Sequence, residues 1–292
     1  MQLPEYYQRG RFGLSFELFP PKTPAGQDAL LSHVRRLAEF SPDYITCTYG
    51  AGGSTRDKTL QIVSRVKAEF GIAVASHLTC VAATVEQLRD YLQQARRQQV
   101  DYIVALRGDP PQGSTEFVAV DGGLRYANEL VALIRREYSE FGVAVAGYPE
   151  VHQEAPNAEE DLRNLKRKVD SGADIIITQL FYQNGDFFRF QDRCRSLGIT
   201  VPIVPGILPV TNLGQIQRIT TLCKASLPRD FVARLGQHDD EQWQMQVGIE
   251  QATEQVRRLI EGGVSGVHFY VLNKSQATSA VLDNLQIKRA GH

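Results

Sequence analysis

The stretch NAEEDLRNLKRKVDSGADIIITQLF, residues 157–181, decides the fold. Its first half opens with Asn157 and, three residues on, Glu160, a pattern that caps helix N-termini. It closes at Gly172, where glycine accepts the backbone conformation that ends a helix. Between these marks Leu162, Leu165 and Val169 recur near the helical period and share one face, while Asp161, Asn164 and Lys168 share another. The second half, ADIIITQLF (173–181), is short, rich in β-branched residues and bounded by Gly and Asp, which marks a strand. A helix running directly into an apolar strand is the repeating unit of α/β folds with parallel sheets.

The same unit recurs outward in both directions. GLSFELF (13–19), DYITCTY (43–49), IAVASHLTC (72–80) and DYIVALR (101–107) read as strands on one side. VAVAGYP (143–149), PIVPGIL (202–208) and GVHFYVLN (266–273) complete a set of eight. Helical stretches lie between them; TVEQLRDYLQQARRQQ begins with a capping box from Thr84 to Gln87. Eight alternating units over roughly 250 residues indicate a (β/α)8 TIM barrel. A doubly wound open sheet is the runner-up, but no strand is followed by G-x-G-x-x-G. Between Leu208 and Gly266 the chain is too long for one helix. NLGQIQRITTLCKAS, LPRDFVARLG and DDEQWQMQVGIEQATEQVRRLIEGG read as extra helices between strands 7 and 8, with Pro228 suited to a first helical turn. No linker breaks the chain, so residues 1–292 read as a single catalytic domain, with a homo-oligomer contact expected on the added helices.

Composition narrows the partners. The chain is 42% hydrophobic and 22% charged with a net charge of −1, and the cluster Lys166-Arg167-Lys168 reads as one helix face. Neither nucleic acid nor an anionic membrane is expected as a partner. No apolar run approaches the roughly 18 residues of a membrane span. The start, MQLPEYYQRG, lacks the apolar core of a secretory signal. The four cysteines, Cys47, Cys80, Cys194 and Cys223, are scattered, as reduced thiols in a cytoplasmic protein are.

Active sites of such barrels sit at the carboxyl ends of the strands, and polar residues gather there. FELFPPK (16–22) places Glu17 inside an apolar strand. Alternation turns Leu14, Phe16 and Leu18 toward the helices and Ser15, Glu17 and Phe19 toward the barrel. A lone buried carboxylate costs several kcal/mol unless it is paired or neutral. His77 stands near the end of strand three, Arg107-Gly108-Asp109 follows strand four, and Tyr148, Glu150 and His152 follow strand five. Gln179 ends strand six. Structural roles compete with functional ones: Glu17 as a partner for Arg107, His77 and His268 as satisfied core histidines, Asp109 before Pro110 as a turn residue. GAGGST (50–55) is either a flexible loop or a phosphate cradle. The helix face of Asp161, Asn164 and Lys168 is either solvated or a holder of ribose and diphosphate.

Several chemistries are excluded. No H-x-H pair offers a metal site, and no metal is expected. No strand carries a lysine for a Schiff base, and no G-x-S-x-G supplies a serine nucleophile. An acid, an amide, an Arg-Gly-Asp turn and a nucleotide-friendly helix suit an organic cofactor that performs the difficult chemistry.

FELFPPK, TCTYGAGGSTRDKT, HLTC, ALRGDPP, YPEVH, DLRNLKRKVDSGADIIITQLF, PGILPVTN and HFYVLN occur in order between about residues 12 and 285, and together the chain resembles methylenetetrahydrofolate reductase of the bacterial type. The resemblance implies a flavin-containing (β/α)8 oxidoreductase that uses NADH or NADPH to reduce 5,10-methylenetetrahydrofolate to 5-methyltetrahydrofolate, for methionine synthesis. It implies Glu17 as general acid. Thr48 and Tyr49 would touch the nicotinamide nucleotide and the flavin. His77, Arg107, Gly108 and Asp109 would line FAD, with Asp109 also reaching the folate, and Tyr126 and Ala127 match a weaker FAD segment. Tyr148, His152, Ala155, Asp161, Asn164, Arg167 and Lys168 would hold the ribose, diphosphate and adenine side. Gln179, Gln215 and Lys274 would bind the folate, Gln179 also the nicotinamide. Two departures stand out: Ile219 where the family can have an aromatic, and Lys274 where an arginine would offer a planar fork to a carboxylate.

The folate's methylene bridge accepts hydride once protonation of a ring nitrogen opens it to an iminium cation. An acid protonated near neutral pH is needed, and burial is expected to raise Glu17 to that role, with Asp109 charged to stabilise the cation. One mouth implies that nicotinamide and folate alternate at one flavin, in ping-pong fashion. Rival readings are a flavoenzyme of the proline dehydrogenase type and a non-catalytic folate-binding module.

Overall fold

Each apolar run becomes a short strand and each periodic run a helix in the computed structural model, which describes residues 1–21, 23–49, 56–110 and 117–287. Five strand–helix units open the chain: β1 (Gly13–Leu18) and α1 (Pro24–Ala38), β2 (Tyr44–Cys47) and α2 (Arg56–Phe70), β3 (Ala73–Thr79) and α3 (Val85–Arg97), β4 (Tyr102–Leu106) and α4 (Ala127–Glu137), β5 (Gly142–Gly147) and α5 (Ala158–Asp170). Then come β6 (Ile175–Thr178), α6 (Asn184–Ser196), β7 (Ile203–Val204), β8 (Gly206–Ile207), α7 (Leu213–Cys223), α8 (Arg229–Leu235), α9 (Glu241–Glu261), β9 (Gly266–Tyr270) and α10 (Gln276–Asn284).

All strand pairs are parallel, in the order β7-β6-β5-β4-β3-β2-β1-β9-β8. β7 and β8 are the two halves of PIVPGIL, separated by Pro205, which has no N–H to give to a ladder. The first half bonds β6 and the second bonds β9, and the Pro205 carbonyl accepts the His268 N–H at 3.0 Å. The sheet therefore meets its own beginning, and the barrel closes with eight staves. Gly206 sits at this seam: a Cβ there would stand 2.2 Å from the Thr178 carbonyl oxygen and 2.8 Å from the Tyr270 hydroxyl.

A repeated device pins the strand starts. Asp43, Asp101 and Asp174 precede β2, β4 and β6. Each donates its N–H to the carbonyl of Leu14, Val74 or Val143 on the preceding strand, and its carboxylate accepts that residue's N–H at 2.7–2.8 Å. Arg11, Lys67 and Arg135 supply the balancing charges. The amino-terminal mouth is plugged by a 3-10 helix, Leu3–Tyr7. Its Tyr6 and Tyr7 hydroxyls meet those of Tyr102 and Tyr44, each at 2.8 Å.

Leu14, Phe16 and Leu18 are buried in the layer between strands and helices, as alternation requires. The Thr84–Gln87 capping box of α3 is complete. At α5, Asn157 accepts the Glu160 N–H at 2.9 Å, but the Glu160 carboxylate turns to Arg163 and Arg167 instead of returning to the cap. Pro228 is the N-cap of α8, one residue before its first turn. Of the three helices expected as additions, α9 packs between α6 and α10 and serves as the barrel's own seventh helix; α7 and α8 are the additions. Among the described residues no helix is long and apolar enough to cross a membrane.

Candidate active site

Glu17 points into the barrel and is 6% exposed. In-register neighbours on a parallel sheet share a face, and Glu17 lies beside Thr46 on one side and Tyr270 on the other. Two histidines from other strands converge on Oε2: His77 Nε2 at 3.2 Å and His268 Nε2 at 3.4 Å. The second ring nitrogen of His268, Nδ1, lies 2.8 Å from Ser15 Oγ, which fixes the ring's orientation. Glu17 is therefore not the partner of Arg107, and the histidines are not isolated core residues.

This arrangement corrects the expectation that burial leaves Glu17 neutral. Burial does push its pKa up. The charge of His77, the hydrogen bond from His268 and the remaining histidine interactions outweigh it and hold the carboxyl at about 2. Nearby, Thr46 Oγ1, Thr79 Oγ1 and His77 Nε2 are buried without a hydrogen-bond partner. His77 is thus within charge-pairing reach of Glu17 but not aligned to hydrogen-bond it. Such polar atoms at the mouth are costly unless a ligand satisfies them.

The turn after β4 is shaped by Gly108, whose φ of +89° suits glycine and whose Cβ would press on Val81 at 2.8 Å. Arg107 donates through both terminal nitrogens to Glu154, at 2.7 and 2.6 Å, and lies over the Phe117 ring. Asp109 is exposed beyond the turn.

YPEVH crosses to α5. The Tyr148 and His152 rings meet edge-on, 4.5 Å between centroids. His152 donates its backbone N–H to Asp161 at 3.0 Å, and the Ala155 N–H reaches the His152 carbonyl. Side chains on a helix lean toward its N-terminus, so Lys168, in the last turn of α5, reaches back to the end of β5 and donates to the Ala146 carbonyl at 2.5 Å. Its ammonium also lies 5.9 Å from the Tyr148 ring centroid. Burial pulls Lys168 down to about 8, against the attraction of Asp161. Burial raises Asp161 and lowers His152. Asn164 and Arg167 bond one another on the exposed side of the helix, so the polar face divides into two half-buried residues, Asp161 and Lys168, and an exposed pair.

The other expected residues follow the carboxyl ends of their strands, with differing exposure. Thr48 continues the β1–β2 pairing by donating to the Leu18 carbonyl. Tyr49 is buried among helix-side residues and meets the Tyr91 ring edge-on at 5.7 Å. Exposed Tyr126 is the N-cap of α4, which Ala127 begins. Gln179 shares a hollow with Tyr148, Cys223 and Ala225. Gln215 lies in the first turn of α7, with Ile219 one turn on, packed against the cluster of Leu180, Tyr182 and Leu208. Exposed Lys274 follows Asn273, whose side-chain amide pairs with both the N–H and the carbonyl of Phe19 at 2.8 and 2.7 Å. GAGGST (50–55) lies outside the described residues. Ser15, His268 and Glu154 are the site residues that sequence reasoning missed or set aside. The alternation of strand one marked Ser15 as inward; nothing local marked the other two as contacts.

A family model described as methylenetetrahydrofolate reductase matches residues 2–286. The 5,10-methylenetetrahydrofolate reductase of Escherichia coli (strain K12) is 39% identical over 282 residues, covering 96% of this chain and 93% of that protein. Methylenetetrahydrofolate reductase (NADH) 1 of Zea mays is 41% identical over 287 residues, covering 94% of this chain and 48% of that protein. The chain thus spans about half the length of the plant relatives and nearly all of the bacterial ones. A solved Clostridium thermocellum protein, described as uncharacterized and binding two copies of 5-methyl-5,6,7,8-tetrahydrofolic acid, aligns over 98% of both chains with a TM-score of 0.65 at 13% identity, a likeness of fold.

Proposed function

The chain belongs to the methylenetetrahydrofolate reductase family, and from that premise we propose that it reduces 5,10-methylenetetrahydrofolate to 5-methyltetrahydrofolate with NADH or NADPH through bound FAD. The observation that carries the reading is a carboxylate buried at the barrel mouth with two histidines on one of its oxygens. Family membership displaces the proline dehydrogenase-type alternative.

The residues present fit a flavin dinucleotide. Lys168 and Arg107 offer cationic donors, Tyr148 and His152 offer ring faces, and the unpartnered hydroxyls of Thr46 and Thr79 await donors or acceptors. Arg107, Gly108, Asp109, Tyr126, Ala127, Tyr148, His152, Ala155, Asp161, Asn164, Arg167 and Lys168 would hold the cofactor, with Thr48, Tyr49 and His77 at its redox end. The chemistry supplied by FAD when bound is storage of a hydride between a nicotinamide donor and a folate acceptor.

This chain's own residues handle the proton. Burial raises the Glu17 carboxyl, but the charge of His77 and the hydrogen bond and charge of His268 outweigh it and keep Glu17 ionised. A proton held at a histidine Nε2 reaches the folate ring nitrogen through Glu17 Oε2, and this opens the methylene bridge to the hydride-accepting cation. Asp109 stabilises that cation, Gln179 and Gln215 orient the pterin, and Lys274 offers its charge to the glutamate end. Reduced nicotinamide and folate use the mouth in turn. A visible flavin spectrum of the purified protein, bleached by NADH or NADPH and restored by methylenetetrahydrofolate, is the expected result. A colourless protein that binds folate would instead support a non-catalytic module.

A further inference from the structure

Arg107 is gripped more completely than the other cation of the cradle. Its Nε donates to the Gly108 carbonyl at 3.2 Å, and its terminal nitrogens donate to opposite oxygens of Glu154 at 2.7 and 2.6 Å. A planar fork that holds two carboxylate oxygens has the shape that holds two phosphate oxygens. Glu154 thus occupies, with its own charge, the position on Arg107 that an anionic ligand would take.

The two carboxylates facing the cradle's cations are held differently. Asp161 is half-buried and tied down by the His152 N–H. Glu154 belongs to the loop before α5, its side chain is 37% exposed, and among the described residues its carboxylate bonds only Arg107. An exposed pair of this kind gives up little when its carboxylate swings into water. A carboxylate that stayed in place would repel a diphosphate brought to the same fork.

We propose that Glu154 is an exchangeable counter-ion, which holds the Arg107 fork while the cradle is free of nucleotide and yields it to a phosphate of the cofactor. Its charge then limits how tightly the cofactor is kept. The proposal rests on the reading of the cofactor as FAD.

Release of flavin from the purified holoenzyme on dilution, followed by the rise in flavin fluorescence, tests it. Glu154→Gln preserves side-chain length but removes the charge, and release is expected to slow by about tenfold. Glu154→Ala should slow it too. In an Arg107→Lys background, Glu154→Gln should release flavin as fast as Arg107→Lys alone, because the fork for which the charges compete is gone. Release that is unchanged or faster in both Glu154 variants would overturn the proposal and leave Glu154 as a brace for Arg107. A colourless wild-type protein would overturn the FAD reading, and this role with it; faster release from a yellow variant overturns this role alone.

Discussion

His77 Nε2 and Glu17 Oε2 lie 3.2 Å apart inside the barrel, on β3 and β1, with β2 between them. The carboxyl and its counter-charge therefore come from different strands, and the charge of His77 opposes the burial that would raise Glu17. In the proposed reaction the general acid is a cluster of three groups, to which His268 contributes the third.

Ser15 holds that cluster in register. Ser15→Ala leaves His268 Nδ1, in a fully buried ring, without its 2.8 Å partner. The expected cost is about 1–3 kcal/mol in denaturant unfolding. His268→Gln removes one cause of the low Glu17 pKa, so the protonated-carboxyl infrared band of Glu17 should persist to higher pH than in the wild type. An unmoved band would show that His77 alone sets the carboxyl.

Burial of Lys168 costs stability at a position proposed to bind the cofactor. Its folded pKa is about 8, against an ordinary 10.5. Below pH 8 the lysine is charged in both the folded and unfolded states, and the penalty of burying it is full. Between these two values the unfolded chain binds more protons, so the contribution of this site to stability rises with pH. In flavin-free protein at neutral pH, Lys168→Met should be more stable by about 1–3 kcal/mol. The gap to wild type should shrink as pH rises from 8 toward 10, and comparing the two proteins cancels the opposing titration of the buried cysteines. In holoenzyme the same substitution should speed flavin release.

The barrel seam depends on a missing side chain. A Cβ at Gly206 would collide with backbone at 2.2 Å, and backbone does not rotate away as a side-chain tip does. Gly206→Ala should lose about 2–4 kcal/mol, measured as a lower denaturation midpoint. It should also move Tyr270, whose hydroxyl donates to the Thr178 carbonyl at 2.7 Å and which neighbours Glu17.

Local chemistry explains what the sequence made legible. Strand periodicity placed Ser15 and Glu17 inward, and Thr84, Asn157 and Gly172 marked helix ends, because those signals depend only on near neighbours in the chain. The convergence of His77 and His268 on Glu17 depends on barrel closure, which sets residues 60 and 251 positions apart side by side. The sequence put His77 near the end of its strand and left both rings open to a core role, without showing what either met. Burial of Glu17 was read correctly and its electrostatic consequence was not, since desolvation is local whereas the opposing charges come from β3 and β9. The amino-terminal plug was missed for the same reason: MQLPEYYQRG carries no strong helix signal, and Tyr6 and Tyr7 find their role only against Tyr102 and Tyr44. The aspartates opening β2, β4 and β6 mark strand boundaries in the sequence, but their function appears only when the preceding strand lies alongside.

The proton role proposed for Glu17 separates the two halves of the proposed reaction. Glu17→Gln keeps the shape of the side chain and removes its ability to give up a proton. Stopped-flow absorbance of the bound flavin should show reduction by NADH or NADPH within a few-fold of wild type, and reoxidation by methylenetetrahydrofolate slowed by about 10²–10⁴-fold. Equal slowing of both phases, or folate reoxidation at the wild-type rate, would contradict the account.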